Sequence, residues 1–141
     1  MREAMIEMAH AHAAAEGSGD LDATLNTLEP DPTYELQPEA RVLRGMNAVR
    51  RYYEYFFSQF QPMVESYDLR GEWVTDEGVG QEYMIHLRLP DGRKEHHAII
   101  GILLFGKTRL AGERLWAGER LLRLMMGPVY ESAAPIQVGE G

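Results

Sequence analysis

Apolar and polar positions along the chain predict a helical N-terminal part followed by a strand-rich part. A first helix is predicted over residues 1–16, because apolar side chains and His12 recur there with the spacing of one helix face. Asp20 then provides an N-cap for a short second helix, which Pro30 ends. A third helix, after Gly45, carries an aromatic stripe that we expect to face the core: Val49, Tyr52, Tyr53, Phe56, Phe57 and Phe60.

Over residues 63–117, apolar and polar residues alternate with a period of two, which predicts a series of antiparallel strands. Asp91-Gly92 is a strong hairpin signal, and it precedes residues 95–105, which are apolar on both alternating sets. Such a strand needs cover on both faces of the sheet. In the first strand of this region, the alternation predicts one shared face for four residues: Tyr67, Leu69, Gly71 and Trp73.

Shorter elements flank this antiparallel region. Residues 33–36 are predicted as a short strand, followed by a loop through Pro38 to the third helix. A last strand is predicted over residues 109–117. A closing helix over residues 119–126 ends at a Gly-Pro pair.

Length and composition restrict the class of protein. The 141 residues suffice for one domain, which we predict over residues 1–131, followed by a flexible tail over residues 132–141. The formal net charge of −8 argues against a nucleic-acid or anionic-membrane partner. The chain has no cysteine, which excludes disulfides, a thiolate nucleophile and a cysteine-based metal site. Acidic residues near the N-terminus argue against a signal peptide, so we expect a cytoplasmic protein.

Several landmarks in order resemble the nuclear transport factor 2-like (NTF2-like) superfamily, and within it the SnoaL-like polyketide cyclase group. They are G-x-G-D-L-D-A-T-L from Gly17, R-x-L-R-G-M-N-A-V-R-R-Y-Y from Arg41, the Asp-Gly hairpin, G-E-R-L-W from Gly112 and L-L-R-L-M-M-G from Leu121. The resemblance covers roughly residues 3–130. It implies a cone-shaped α+β fold, with three N-terminal helices on a curved, mostly antiparallel sheet and a short C-terminal helix. It also implies a cavity for a small apolar molecule and a homodimer packed through the sheet. It does not fix the reaction, because one fold hosts many activities.

The catalytic residues of known relatives are not kept at the matching positions. In the ketosteroid isomerase pattern, the tyrosine position falls on His12, the base on Leu36 and the later aspartate on Gly101. The aspartate of SnoaL-like cyclases falls on Gly118, with Glu119 one step further as a substitute. The Asp-Arg-Asp set of limonene epoxide hydrolases cannot be assembled. An enzyme on this chain would therefore use residues of its own.

Three ionisable residues remain as candidates for proton transfer. His12 lies on an apolar helix face and matches a catalytic position of the resembled family, although a hydrogen-bonded core histidine explains the pattern equally well. His97 is expected on the cavity face of its strand, where the alternative is a partly hydrated strand end. Glu113 is either a general base whose pKa burial raises, or the ion-pair partner of Arg88 or Arg114.

Other side chains are expected to shape a pocket rather than to react. Cavity walls for an apolar or polycyclic ligand are expected from Tyr34, Tyr53, Trp73, Ile99 and Leu115, although aromatic residues at helical spacing are often core. We expect no metal ion, because His10 and His12 diverge around a helix and His96 and His97 diverge across a strand. No motif indicates a cofactor.

These observations favour a SnoaL-like enzyme that performs cofactor-free acid–base chemistry on an apolar carbonyl compound, by cyclisation, isomerisation or dehydration. The alternative is a non-catalytic ligand-binding or dimerisation module of the same fold. A cofactor-independent oxygenase also stays open, and oxygen consumption would distinguish it.

Overall fold

Five helices pack with one seven-stranded sheet within residues 2–137, the part of the chain that the computed structural model describes. The helices are α1 Arg2–Ser18, α2 Leu21–Asn26, α3 Met46–Tyr55, α4 Glu119–Met126 and α5 Pro128–Ser132. The strands are β1 Leu28–Gln37, β2 Arg41–Arg44, β3 Val64–Val74, β4 Gly78–Arg88, β5 Lys94–Phe105, β6 Leu110–Ala117 and β7 Ala134–Pro135. The predicted α+β class is confirmed. The described part has five helices rather than four, and none of them combines the length and apolarity that crossing a membrane requires.

The sheet has the strand order β3-β4-β5-β6-β1-β2-β7, and only β1 and β6 are parallel neighbours. The predicted antiparallel region corresponds to β3–β6. Strand β1 is much longer than the predicted residues 33–36, and it contains Pro30 and Pro32. Prolines are tolerated there because the ladder with β6 shifts register between Leu28 and Thr33, where no donor is needed.

The structure of the C-terminal segment differs from the flexible tail that was predicted over residues 132–141. Ala133 is buried, and Ala134 and Pro135 pair with β2. The amide of Ile136 donates to the carbonyl of Ala40 at 2.8 Å. Part of the expected tail therefore continues the sheet, while residues 138–141 lie outside the described residues.

The helices begin and end where local chemistry allows. Asp20 caps α2, since its side chain accepts a hydrogen bond from the amide of Ala23 at 3.0 Å. Helix α3 is followed by a π-helical turn over Phe56–Phe60 and a short 3₁₀ turn. Such turns are uncommon and recur near functional sites. The aromatic stripe faces the core as predicted, with Tyr52, Tyr53, Phe56 and Phe60 buried.

A β-bulge between Leu69 and Gly71 changes which residues of β3 share a face. Tyr67 lies opposite Ile85 on the face that packs toward the helices, which we term the cavity face. Beyond the bulge, Trp73 lies opposite Gly80 on the other side of the sheet, the outer face. Its indole covers Gly80, where a Cβ would collide with the ring. The predicted common face from Tyr67 to Trp73 is therefore wrong.

Candidate functional site

A cavity of about 260 Å³ lies between the helices and the cavity face of the sheet. Aromatic residues form much of its wall: Tyr52, Phe56, Tyr67 and Tyr83. One histidine and two carboxylic acids line it together, namely His12 and Glu16 from α1 and Glu113 from β6. None of the described residues that line the cavity is a lysine or an arginine. The positive charge near the two carboxylates must therefore come from His12 or from a bound group.

The tautomer of His12 follows from its hydrogen bonds. The side chain is buried, and its Nδ1 lies 2.7 Å from the hydroxyl oxygen of Thr27. That hydroxyl donates its one proton to the carbonyl of Thr24 at 2.7 Å. Because Thr27 can then only accept from the imidazole, Nδ1 carries a hydrogen.

The other imidazole nitrogen meets three oxygens. His12 Nε2 lies 2.8 Å from Glu16 Oε2, 2.8 Å from Glu113 Oε2 and 3.0 Å from the hydroxyl of Tyr53. An unprotonated Nε2 would point its lone pair at two carboxylates. At least one proton is therefore shared within this group, which we term the proton cluster: His12, Glu16 and Glu113.

Two tyrosines support the proton cluster from behind. The Tyr53 hydroxyl donates to Glu16 Oε2 at 2.6 Å, and it lies 3.0 Å from Glu113 Oε2. The Tyr34 hydroxyl lies 2.6 Å from that of Tyr53 and donates to it, because the proton of Tyr53 is directed at a carboxylate. Both rings are buried. The tyrosines thus hold the carboxylates in place.

Burial and charge push the three pKa values apart. Burial alone would lower the pKa of His12, but hydrogen bonds to Glu113 and Glu16 raise it to about 10. Burial would raise the pKa of Glu16, but the hydrogen bond and charge of His12 lower it overall. The pKa of Glu113 is raised, by burial first and then by the charge of Glu16. His12 is therefore an imidazolium, Glu16 its ionised partner and Glu113 the better base.

Local sequence explains how these groups meet. His12 and Glu16 are four residues apart on α1 and so share one face. Glu113 follows Gly112, which has a φ of 143° and packs against β1 so closely that a Cβ would collide with the carbonyl oxygen of Thr33. Glycine at this position lets β6 approach β1 and directs Glu113 at α1.

One oxygen of Glu113 stays free. Oε2 lies 2.8 Å from His12 Nε2 and 3.0 Å from the Tyr53 hydroxyl, whereas Oε1 makes no hydrogen bond to another described residue. Gly101 keeps the space beside it free, since a Cβ added there would lie in van der Waals contact with Oε1, at 3.7 Å. Glu113 and Gly101 both line the cavity.

The proton cluster also has a donor set that could hold a divalent ion, because one ligand atom from each residue lies within 4.8 Å of the others. The 2.8 Å contacts of Nε2 are hydrogen-bond distances, and a shared proton explains them without an ion. The sequence predicted no set of metal ligands, because its histidine pairs diverge, and this prediction overlooked the proton cluster. Glu113 is 101 residues from His12 along the chain.

The other predicted site residues are distributed differently. Ile99 and Leu115 line the cavity, whereas Tyr34 and Tyr53 lie behind the proton cluster. The prediction of Trp73 as a wall is wrong, because the bulge in β3 puts it on the outer face.

His97 does not meet His12. Its Nε2 lies 2.8 Å from Glu95 Oε1, and Glu95 is bound by Arg120, which lowers the pKa of Glu95 to about 2, with His97 contributing. His97 shares the face of Ile99 but lies about 7 Å further along the strand, outside the cavity lining. A histidine pair is therefore not assembled.

Sequence reasoning missed Glu16 and Tyr52. The i, i+4 spacing from His12 could have indicated Glu16. The proposed pairing of Glu113 with Arg88 or Arg114 is wrong. Arg88 binds Glu65, and Arg114 binds Glu35 and Glu77.

No protein-family model and no curated protein matches the sequence. Solved structures do match the fold. SalBIII, an epoxide hydrolase/cyclase-like enzyme with a role in pyran ring formation in the polyether salinomycin, superposes with a TM-score of 0.66 at 14% identity, over 81% of this chain and 90% of that one. An NTF2-like protein of Anabaena variabilis superposes with a TM-score of 0.67 at 14% identity, over 82% of this chain and 90% of that one. A proposed isomerase of Bacillus subtilis superposes with a TM-score of 0.67 at 12% identity, over 86% of this chain and 91% of that one. The chain has the NTF2-like fold.

Proposed function

We propose that this chain is a SnoaL-like enzyme that performs cofactor-free acid–base chemistry on an apolar carbonyl compound bound in the cavity. The proposal rests on the contacts of the two carboxylate oxygens of Glu113. Its Oε2 lies within 3.0 Å of His12 Nε2 and the Tyr53 hydroxyl, while its Oε1 is free beside Gly101. A positioned carboxylate with a raised pKa and one free oxygen is suited to accept a proton from carbon.

In the proposed reaction, Glu113 Oε1 accepts a proton from the carbon next to the substrate carbonyl, and the electron pair of that C–H bond moves to form an enolate. The protonated Glu113 then returns the proton to the same or a conjugated carbon, which regenerates the carboxylate. His12 and Glu16 remain a charged pair throughout. Their role is to hold Glu113 and to adjust its basicity.

Tyr52 is the candidate donor to the carbonyl oxygen. It lines the cavity and is buried, and its hydroxyl makes no hydrogen bond to another described residue. Burial, and then the charges of Glu16 and Glu113, hold the pKa of Tyr52 well above its ordinary value of 10. Its hydroxyl therefore keeps its proton and can donate to the oxygen as negative charge develops there.

The experiment uses 2-tetralone, an apolar bicyclic ketone whose α-protons exchange with solvent. Exchange for deuterium is followed by proton NMR with wild-type protein, with Glu113→Gln and with the exposed control Glu119→Gln. We expect wild-type protein and the control to accelerate exchange, and Glu113→Gln to lose about 100-fold or more of that rate. A chelator should not change the wild-type rate.

A non-catalytic ligand carrier is the second candidate. The apolar residues and glycines at three family acid positions, Leu36, Gly101 and Gly118, favour it. In that case 2-tetralone would shift resonances of cavity residues without any acceleration of exchange, and the enzymatic proposal would be wrong.

A further inference from the structure

Two histidines on neighbouring strands of one hairpin face each other on the outer face of the sheet. His86 of β4 and His96 of β5 are directly opposite in the antiparallel register, beyond the hairpin that joins the strands. Their Nδ1 atoms are 2.7 Å apart. The neighbouring pair Ile85 and His97 lies on the cavity face, so the sheet separates this histidine pair from the proton cluster.

Asp68 of β3 fixes the orientation of His86. Its Oδ2 lies 2.7 Å from His86 Nε2, and a carboxylate can only accept, so Nε2 carries the hydrogen. Neutral His86 then has its lone pair on Nδ1, aimed at His96. A carboxylate behind a histidine in this way is the usual outer partner of a metal-binding imidazole.

We propose that His86 and His96 form a two-imidazole site for a divalent transition-metal ion such as Zn²⁺, with Asp68 as the positioning residue behind His86. At present one proton must lie between the two Nδ1 atoms. A metal ion would take its place and bind both lone pairs.

The geometry requires little rearrangement. In a tetrahedral site, zinc–nitrogen bonds of about 2.0–2.1 Å place two ligand atoms about 3.3–3.4 Å apart. The Nδ1 atoms, now 2.7 Å apart, therefore separate by about 0.6–0.7 Å, which the exposed ring of His96 permits. The paired strands hold both backbones in register, and the ion's remaining positions are open to water on this exposed face. Imidazole suits zinc, copper and nickel, whereas calcium and magnesium prefer oxygen ligands.

The test is isothermal titration of tag-free protein with zinc chloride, because a polyhistidine tag would bind the ion itself. We expect one ion per chain for wild-type protein. His96→Gln should weaken binding at least tenfold, and Asp68→Asn should weaken it by about 10- to 100-fold through the loss of the outer partner. His97→Gln is the matched control, because it changes the adjacent residue on the opposite face and should leave the affinity unchanged.

Three results would overturn the proposal. Wild-type protein could show no saturable binding, or His96→Gln could bind zinc as wild-type protein does. Alternatively, Glu113→Gln rather than His96→Gln could abolish binding, which would place the ion in the cavity. The readout is independent of proton exchange on 2-tetralone, so the failure of this proposal and that of the enzymatic one are separable.

Discussion

Replacing His12 with leucine tests the charge assignment of the proton cluster most directly. The substitution keeps a similar volume but removes the imidazolium. Glu16 and Glu113 then face each other without a positive partner in a site where the His12 side chain is only 1% exposed. Breaking a buried ion pair by removing one partner costs about 3–5 kcal/mol. We therefore expect a loss of that size in the free energy of unfolding at pH 7.

The pKa of His12 supports a cost of this order. Its rise from 6.5 to about 10 on folding corresponds to about 5 kcal/mol, at about 1.4 kcal/mol for each pKa unit. Since the folded pKa lies above the unfolded one, this stabilisation is fully present below pH 6.5 and is lost as the pH rises toward 10. Wild-type protein should accordingly become less stable over that range.

The assay is urea unfolding followed by tryptophan fluorescence at several pH values. His10→Leu is the matched control, because His10 is exposed on the same helix and its replacement, which removes only a surface contact with Glu72, should cost less than about 1 kcal/mol. The reasoning would be refuted if His12→Leu cost no more than His10→Leu at pH 7. It would also be refuted if the His12 ring resonance titrated near pH 6.5.

Three further predictions concern the donor, the outer face and the backbone. Tyr52→Phe should slow 2-tetralone exchange by about 100-fold with little change in stability, and a wild-type rate by NMR would exclude Tyr52 as the donor. The homodimer through the sheet stays a prediction. Because Trp116 is 44% exposed on the outer face, sedimentation velocity should show dimers that Trp116→Glu converts to monomers, and a monomeric wild-type protein would contradict this. Gly112→Ala should lower the thermal unfolding temperature markedly, since its φ of 143° and the contact with Thr33 leave no room for a Cβ, and an unchanged temperature would count against that packing.

Local patterns in the sequence were sufficient to predict most of the elements. The helix over residues 119–126 has the predicted bounds, and the antiparallel region resolves into β3–β6. These elements depend on apolar spacing, hairpin residues and caps, all of which lie within a few positions of one another. The short strands β2 and β7 were not predicted. Strand β2 pairs with β1 across the adjacent turn, whereas β7 pairs with β2, which lies far along the chain, so only β7 lacked a local partner.

The site was harder to predict because it depends on register. One bulged residue in β3 was enough to move Trp73 to the other face. His12 and Glu113 were each identified from the burial expected of their element, but their contact joins α1 to β6 and has no local signal. His96 was considered beside His97, although its partner across the hairpin is His86.

The hydrogen bonds that hold the proton cluster involve no residue of the cavity's aliphatic wall. Ile99, Leu103 and Leu115 contribute only shape, while Thr27, Tyr34 and Tyr53 hold the reactive groups from the opposite side. Under the proposed function, substrate shape is therefore read by aliphatic side chains that take no part in the proton transfer. Mutations can reshape the wall for new ligands, in natural lineages or by directed evolution, and leave the proton-handling groups in place.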